Sequence, residues 1–221
     1  MTKLNRASLK RNEAMMAEEK QMLFRDDFDQ RELGPDWRVL EGSAWVEPGR
    51  LHLEGPSNVT VVCTKPFPGD VRLEYEGYVA PGSQLCDISC FLSATPAGGW
   101  RESYFLGFGS YYNTDCRIKR CGRVMAAVDK PLIERAGRVH HIAAERAGST
   151  LSLFVDGELA VRWDDPDPLG PDQQYLGLYA CGTHVVYTGV KVFKPSRECQ
   201  VQSLKFQATT DKGGEPAATD S

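Results

Sequence analysis

The stretch YFLGFGSYYNTDCRIKRCG, residues 104–122, decides how this chain is organised. In its first six residues, large apolar side chains alternate with a second set that includes Gly107 and Gly109, which is the period-two pattern of a β-strand. An aromatic turn follows, and the alternating charges of DCRIKR predict a second strand. We therefore predict a β-hairpin whose glycines leave one face of the first strand open to a backbone or a ligand.

The turn and second strand of this hairpin contain the densest set of side chains able to bind a polar ligand. Tyrosine rings stack on sugar rings, while amide, carboxylate and guanidinium groups hydrogen-bond to hydroxyls, and shallow sugar sites combine the two. The predicted ligand-binding residues are Tyr111, Tyr112, Asn113, Asp115 and Arg117, with Lys119 and Arg120 beside them. Trp100 and Arg101 on the preceding loop extend this site, because a loop aromatic can be a stacking platform. The alternative is a polar hairpin loop that binds nothing.

Strand patterns continue on both sides of the hairpin, separated by glycine and proline. Apolar and charged residues alternate most clearly in DVRLEYEGYV, residues 70–79, and Asp156-Gly157 is a strong hairpin signal. Gly-Pro-Ser at residues 55–57 predicts a turn between two strands, and residues 174–194 predict two closing strands. About a dozen short strands at this spacing predict an all-β fold, a two-sheet antiparallel jelly-roll sandwich.

The chain is predicted to have three parts. Residues 1–21 are charged and helix-prone, so we expect an N-terminal helical arm that packs on the domain edge or docks a partner. Residues 22–194 form the sandwich, and the polar residues 195–221 form a flexible C-terminal tail. With 221 residues, 41% of them apolar and 25% charged, the composition is that of one ordinary globular domain.

Composition and charge also limit the partners and the location. The net charge is -4 with both signs interspersed, so no nucleic-acid partner is expected. No run approaches the ~18–20 apolar residues of a membrane span, and no signal-peptide pattern is visible, so we expect no membrane partner and a cytoplasmic protein. The seven cysteines are odd in number, which predicts free thiols rather than a complete disulfide framework.

Candidate catalytic residues lie outside the hairpin. Glu74 and Glu76 share one face of a strand, with Cα atoms about 6.5–7 Å apart, a spacing from which a glycosidase pair of carboxylates could be built. His140 and His141 face opposite sides of a strand, so one packs in the core while the other, His141 in our prediction, could act as a general base. The alternative for the glutamates is a solvated outer face beside Arg72.

Metal and cofactor motifs are scarce in this sequence. No zinc-ligand spacing, phosphate-binding loop or nucleophile elbow occurs, so no metal or cofactor site is predicted from them. Asp164, Asp165 and Asp167 make an oxygen-rich loop that could hold a structural calcium ion, with a plain solvated loop as the alternative.

The order of these segments resembles the jelly roll of the concanavalin A-like lectins and glucanases, over roughly residues 22–194. The matching segments are LFRDDFD, GRLHLEG, DVRLEYEGYV, YFLGFGS, HHIAAERAGSTLSLFVDGELAVRW and YLGLYACGTHVVYTGVKVF. Within that superfamily the chain looks most like bacterial glycoside-hydrolase-16-like and 3-keto-disaccharide-hydrolase-like domains. The resemblance implies a glycan or small glycoside bound on the concave sheet. The glucanase signature E-x-D-x-x-E is absent, which argues against family-16 endoglucanase activity.

We therefore expect a carbohydrate-binding sandwich protein. A second reading is a glycoside-cleaving enzyme that uses Glu74 and Glu76 or a histidine. A third is a protein-interaction module that recruits its partner through the arm or the tail.

Overall fold

The computed structural model describes residues 21–195, within which Met22–Lys194 form one compact unit. The predicted helical arm and flexible tail lie outside the described residues except for Gln21 and Pro195. The described part consists mainly of antiparallel strands, so the predicted all-β class is confirmed. No helical segment in this part of the chain is long and apolar enough to cross a membrane.

Thirteen strands follow one another, with a 3-10 helix, Gly99–Glu102, before β7 and one helical turn, Ser110–Asn113, after it. The strands are β1 (Met22–Asp26), β2 (Trp37–Glu41), β3 (Ser43–Glu47), β4 (Arg50–Cys63), β5 (Val71–Val79), β6 (Ser89–Ala94), β7 (Tyr104–Gly109), β8 (Asp115–Arg120), β9 (Arg123–Val128), β10 (His140–Ala147), β11 (Thr150–Val155), β12 (Glu158–Asp164) and β13 (Tyr175–Phe193).

The strands form two layers that pack face to face. The first layer has the order β4-β13-β6-β7-β8-β9, with β2 and β3 paired to the other edge of β4. The second has the order β12-β11-β10-β5-β13. β13 belongs to both layers, because its first half pairs with β6 and its second half with β5. β12 lies against β8 and β9, and β11 lies against β7.

Two long strands correct the sequence prediction. β13 is one strand of 19 residues, where two strands were predicted. Its ladder shifts register at Gly182 and again near Gly189, which have φ of 63° and 57°, so the strand bends without ending. β4 likewise runs through the predicted turn at residues 55–57, because a bulge opposite Gly182 accommodates Pro56, which cannot donate to the ladder.

The main core lies between the layers and follows the side-chain alternation of the strands. On β5, Leu73 and Tyr75 point inward, and the Tyr75 ring meets Tyr187 edge to face at 5.3 Å. On β7, Tyr104 and Leu106 are inward and completely buried. Every second side chain therefore turns to an outer face, and the two outer faces differ in character.

A second apolar cluster covers the outer face of the first layer, and we call it the outer cluster. Its buried members are Val62, Phe91, Ala94, Phe105 and Tyr179, with Leu40, Trp100, Tyr175 and Cys181 packed against them. The rings of Phe105 and Tyr179 meet at 90° with centroids 5.0 Å apart. The outward face of an antiparallel sheet is commonly polar, so this apolar surface marks a covered or ligand-facing region.

Candidate functional site

A pocket of about 290 Å³ opens beside the outer cluster on the first layer. Its size is near the lower end of the ~300–1,000 Å³ range of small-molecule sites. β7, β8 and β13 form its floor, and the β5-β6 loop and the turn after β7 form its walls. Its lining side chains include Gln84, Cys86, Asp87, Phe105, Ser110, Tyr111, Tyr112, Arg117, Lys119, Tyr179 and Cys181.

The turn after β7 presents two tyrosine rings at the rim of this pocket. Tyr111, Tyr112 and Asn113 have φ of 51°, 62° and 61°, a left-handed backbone that only well-held non-glycine residues keep. Asn113 holds the turn, since its Nδ2 donates to the Ile133 carbonyl at 2.8 Å and its Oδ1 accepts from the Ile133 N–H at 2.9 Å. Tyr111 and Tyr112 are 65% and 74% exposed, so their rings are available to a ligand.

Gly107 allows the turn after β7, which forms one wall of the pocket, to lie close to Phe105 in the pocket floor. A Cβ atom at Gly107 would lie 2.1 Å from Ser110 Oγ and 2.6 Å from the Phe105 ring. The space that the glycine leaves is therefore filled by side chains of the same protein. Ser110 Oγ in turn donates to Asp87 Oδ1 at 2.9 Å, which joins the turn to the β5-β6 loop.

Asp87 is a buried carboxyl group in the pocket wall, only 6% exposed. It also accepts hydrogen bonds from Cys86 Sγ at 3.0 Å and Ser89 Oγ at 3.2 Å. Burial raises the pKa of Asp87, while these hydrogen bonds and the charge of Lys119 act in the opposite direction. Burial also raises the pKa of the free Cys86 thiol to about 12, so this thiol stays protonated and is not a nucleophile.

The two cations of the pocket are held differently. Arg117 Nε donates to Asp115 Oδ1 at 2.6 Å, a second bond joins the same pair, and the guanidinium carbon lies 5.3 Å from the Tyr111 ring centre. Lys119 Nζ lies 4.8 Å from the Phe105 ring centre, and burial, followed by the charge of Arg117, lowers the pKa of Lys119. Rings, donors and a carboxyl group thus surround one cavity, which suits a ligand with an apolar face and several hydroxyls.

The structure brings only part of the predicted ligand set to the pocket. Tyr111, Tyr112 and Arg117 line it. Asp115 and Asn113 are not among the lining residues. Asp115 pairs with Arg117, and Asn113 holds the turn through its bond to Ile133. These contacts hold Arg117 and the turn in place, and a ligand-binding role for Asn113 and Asp115 stays a prediction.

Trp100 and Arg101 are not among the residues that line the pocket, and they lie on the 3-10 helix that packs against the outer cluster. The Trp100 ring centre is 5.4 Å from that of Tyr179 and 6.1 Å from that of Phe105. The Arg101 guanidinium lies 4.7 Å from the Trp100 ring centre and donates to Glu41 Oε2 at 2.9 Å. These contacts favour packing for Trp100 and Arg101, and their predicted role in binding stays a prediction.

Glu74, Glu76 and His141 come together on the outer face of the second layer, which is on the other side of the sandwich from the pocket. His141 pairs with Glu76 in register, and its Nε2 is 4.0 Å from Glu74 Oε2. Arg72 Nε donates to Glu74 Oε1 at 2.6 Å, and its Nη1 donates to Glu145 Oε2 at 3.0 Å. We call this surface the ion-paired face. The catalytic role of its carboxylates stays a prediction.

The predicted calcium loop is held by side chains of the same protein. Asp165 is 3% exposed and accepts from Tyr104 Oη at 2.6 Å and Arg120 Nε at 2.9 Å. Asp167 lies 3.5 Å from Arg120 Nη2, and Asp164 accepts from the Thr150 hydroxyl. Within residues 21–195, no group of three or more His, Cys, Asp or Glu side chains is arranged to hold a metal ion. Structural calcium stays a prediction.

Sequence reasoning missed several residues of the pocket. Asp87 had one local signal, a lone carboxylate two residues before the start of the apolar strand SCFLSA. Tyr179 and Cys181 had none, because they reach the pocket from β13, far along the chain. The sequence places Lys119 beside the predicted ligand-binding residues. Its position over the Phe105 ring depends on the pairing of β7 with β8, which the sequence does not show.

Known proteins show the same fold. No protein-family model and no curated protein matches the chain. The carbohydrate-binding module CBM66 from Bacillus subtilis superposes with a TM-score of 0.59 at 13% identity, over 70% of this chain and 93% of that chain. A protein of unknown function with a galectin-like fold, also from Bacillus subtilis, gives 0.63 at 15% identity, over 80% and 97%. An endo-β-1,3-glucanase from Pyrococcus furiosus gives 0.59 at 11% identity, over 79% and 94%.

These similarities define the class of the protein as a jelly-roll sandwich of the kind found in lectin-like carbohydrate-binding modules and glucanases. The predicted two-sheet jelly-roll fold is confirmed. At this level of identity the similarity shows the fold, while function depends on the side chains placed on it. The narrower resemblance to glycoside-hydrolase-16-like and keto-disaccharide-hydrolase-like domains stays a prediction.

Proposed function

We propose that the protein binds a carbohydrate in the pocket of the first layer. The observation that carries this proposal is the pair of exposed rings, Tyr111 and Tyr112, beside Asp87, Arg117 and Lys119 at the same cavity. A sugar offers an apolar ring face for stacking and hydroxyls for directed hydrogen bonds, so it matches both kinds of surface. The shared fold with a carbohydrate-binding module supports this ligand class.

Binding is favoured over cleavage because the pocket lacks a second carboxylate. Most glycosidases place two carboxyl groups about 5–10 Å apart on either side of the scissile bond. Among the described residues, Asp87 is the one carboxyl group that lines the pocket. Cleavage at Glu74, Glu76 and His141 remains the alternative, and it would require a second ligand site on the ion-paired face.

A larger cavity of about 740 Å³, lined by the β9-β10 loop and β12, is less suited to a sugar. None of the described residues that line it is aromatic. Arg138 in this cavity is paired with Glu134 and lies 3.7 Å from Asp156, so the charge of Arg138 is matched within the protein. The absence of a ring surface there supports the pocket of the first layer instead.

A glycan array followed by calorimetry on the full chain tests the proposal. The double variant Tyr111→Ala/Tyr112→Ala is expected to bind the selected glycan about tenfold or more weakly, since each stacking contact contributes about 0.5–1.5 kcal/mol. Its thermal stability should be unchanged, because both rings are exposed.

Leu159→Ala is the matched control, since Leu159 is 50% exposed and lines the other cavity. Wild-type protein that binds no sugar on the array or in solution would refute the proposed function. A double variant with wild-type affinity would place the sugar elsewhere on the sandwich.

A further inference from the structure

Lys119 is the starting point for a more specific statement about the ligand. It lies on β8, where it pairs with Phe105 of β7 and Val124 of β9, and its side chain faces the pocket. Its Nζ is 4.8 Å from the ring centre of Phe105 and 5.4 Å from that of Trp100. The ammonium group is therefore half-buried over aromatic rings rather than extended into solvent.

The cations around Lys119 each have a carboxylate partner. Arg117 is bonded to Asp115, Arg120 to Asp165 and Arg101 to Glu41. Among residues 21–195, by contrast, no acceptor lies within hydrogen-bond distance of Lys119 Nζ, and no carboxylate lies within ion-pair distance. Because Lys119 Nζ has no protein acceptor there, its three donors are open to water or to an acceptor on a ligand in the pocket.

Asp87 is not a hydrogen-bond partner of Lys119. Its carboxyl group is already bonded to Cys86, Ser89 and Ser110, and it acts on Lys119 by charge and not by a hydrogen bond. In the pocket, therefore, the ammonium group of Lys119 has no described protein acceptor, while the carboxyl group of Asp87 already has three hydrogen-bond donors.

We propose that the bound sugar carries an anionic group, a carboxylate or a sulfate, which accepts a hydrogen bond from Lys119 Nζ beside the Phe105 ring. This inference rests on the proposed function, because it assumes that the pocket binds a sugar. Its added content is the ligand class: an acidic sugar in preference to its neutral counterpart. A charge-assisted hydrogen bond to the ammonium group would supply that preference.

The test compares three sets of oligosaccharides of equal length: uronic acids, sulfated hexoses and neutral hexoses. Calorimetry is carried out with the full chain, with Lys119→Met and with Lys130→Met. Methionine keeps the unbranched apolar stem over the rings, and Lys130 is an exposed lysine at the other cavity, which makes it a matched control. Thermal unfolding of each variant checks that the fold is retained.

Wild-type protein is expected to bind one of the two acidic sets about tenfold or more tightly than the neutral set. Lys119→Met should lose this preference, so that its affinities for the acidic and neutral sets become similar, while Lys130→Met should behave as the wild type. The preferred acidic set identifies the anion as carboxylate or sulfate.

Neutral and acidic sugars bound equally by the wild type would overturn the acidic-sugar proposal and leave sugar binding standing. An acidic preference that survives in Lys119→Met would also overturn it, since another cation would then be responsible. Wild-type protein that binds none of the three sets, and nothing on the glycan array, would instead refute the proposed function itself.

Discussion

Both outer faces of the sandwich carry charged side chains, but the partners of these side chains differ. On the ion-paired face, Arg72 is bonded to both Glu74 and Glu145, so charge is matched within the protein. On the pocket face, Lys119 lies over aromatic rings without a carboxylate partner among the described residues, and Asp87 is buried among neutral donors. A ligand can therefore gain more on the pocket face, because groups there still lack partners.

The difference also shows why carboxylates alone are a weak indicator of a catalytic site. Glu74 and Glu76 have the right chemistry and a suitable spacing on one strand. The neighbouring strand β10 places Glu145 within reach of the same arginine, and the outcome is an ion-pair network on a sheet surface. Site residues are better recognised by unmatched groups around a cavity than by residue type.

The largest expected effect comes from breaking the network of the ion-paired face. Arg72→Met removes the guanidinium group that Glu74 and Glu145, which are 13% and 4% exposed, share. We expect a loss of about 3 kcal/mol in the free energy of unfolding, measured by urea denaturation, and no change in sugar affinity. Arg50→Met, at an exposed position, should change neither quantity. A fall in sugar affinity would show that the ligand reaches this face.

A smaller loss of stability, accompanied by a loss of binding, is expected on the pocket face. The Cβ of Gly107→Ala would overlap Ser110 Oγ and the Phe105 ring, so the turn and the floor must separate. Overpacking of this kind costs about 1–3 kcal/mol, and the displaced turn should weaken sugar binding as well. Gly170→Ala, where no atom lies within 4 Å, is the control. Unchanged sugar affinity in Gly107→Ala would show that the turn after β7 does not contribute to the sugar-binding site.

The third expected effect is a pH dependence of stability that originates at Asp87. Burial raises the pKa of this carboxyl group in the folded protein, so folding favours its protonated form. Its contribution to stability is present below its ordinary pKa of about 3.9 and is lost as the pH rises through the raised value.

The comparison of wild type with Asp87→Asn isolates this contribution. The unfolding free energy of the wild type relative to Asp87→Asn should decrease as the pH increases above about 4. Denaturation at a series of pH values measures the difference, and the other carboxylates cancel because both proteins contain them. A difference that increases with pH would mean that the hydrogen bonds of Asp87 outweigh its burial.

The smallest effect is expected for Glu76→Gln on the ion-paired face. Glu76 is exposed, and its one described hydrogen bond is from Thr188 Oγ1 at 3.4 Å. Stability should change by less than about 0.5 kcal/mol, and sugar affinity should be the same as in the wild type. Glu158→Gln, another exposed glutamate, provides the comparison. Loss of a glycan-cleaving activity in Glu76→Gln alone would support the enzymatic alternative.

Local patterns in the sequence were sufficient for much of the architecture. The alternation in residues 70–79 placed Glu74 and Glu76 on the outer face of β5, and Asp156-Gly157 marked the hairpin between β11 and β12. The patterns were insufficient at Pro56 and Gly182. Each looks like a strand end when read alone, and only the paired strands show that the two residues meet at a bulge and that both strands continue.

By itself the sequence determined the period of each strand, the position of most turns, the all-β class and the density of ligand-type residues between Tyr104 and Gly122. These properties depend on near neighbours along the chain, through side-chain alternation and turn chemistry. Only the tertiary structure decided which outer face has a pocket, because Asp87, Lys119 and Tyr179 come from separate strands and loops. Whether a charged group finds a partner depends on the strand beside it, and that neighbour is chosen by the packing of the whole sandwich.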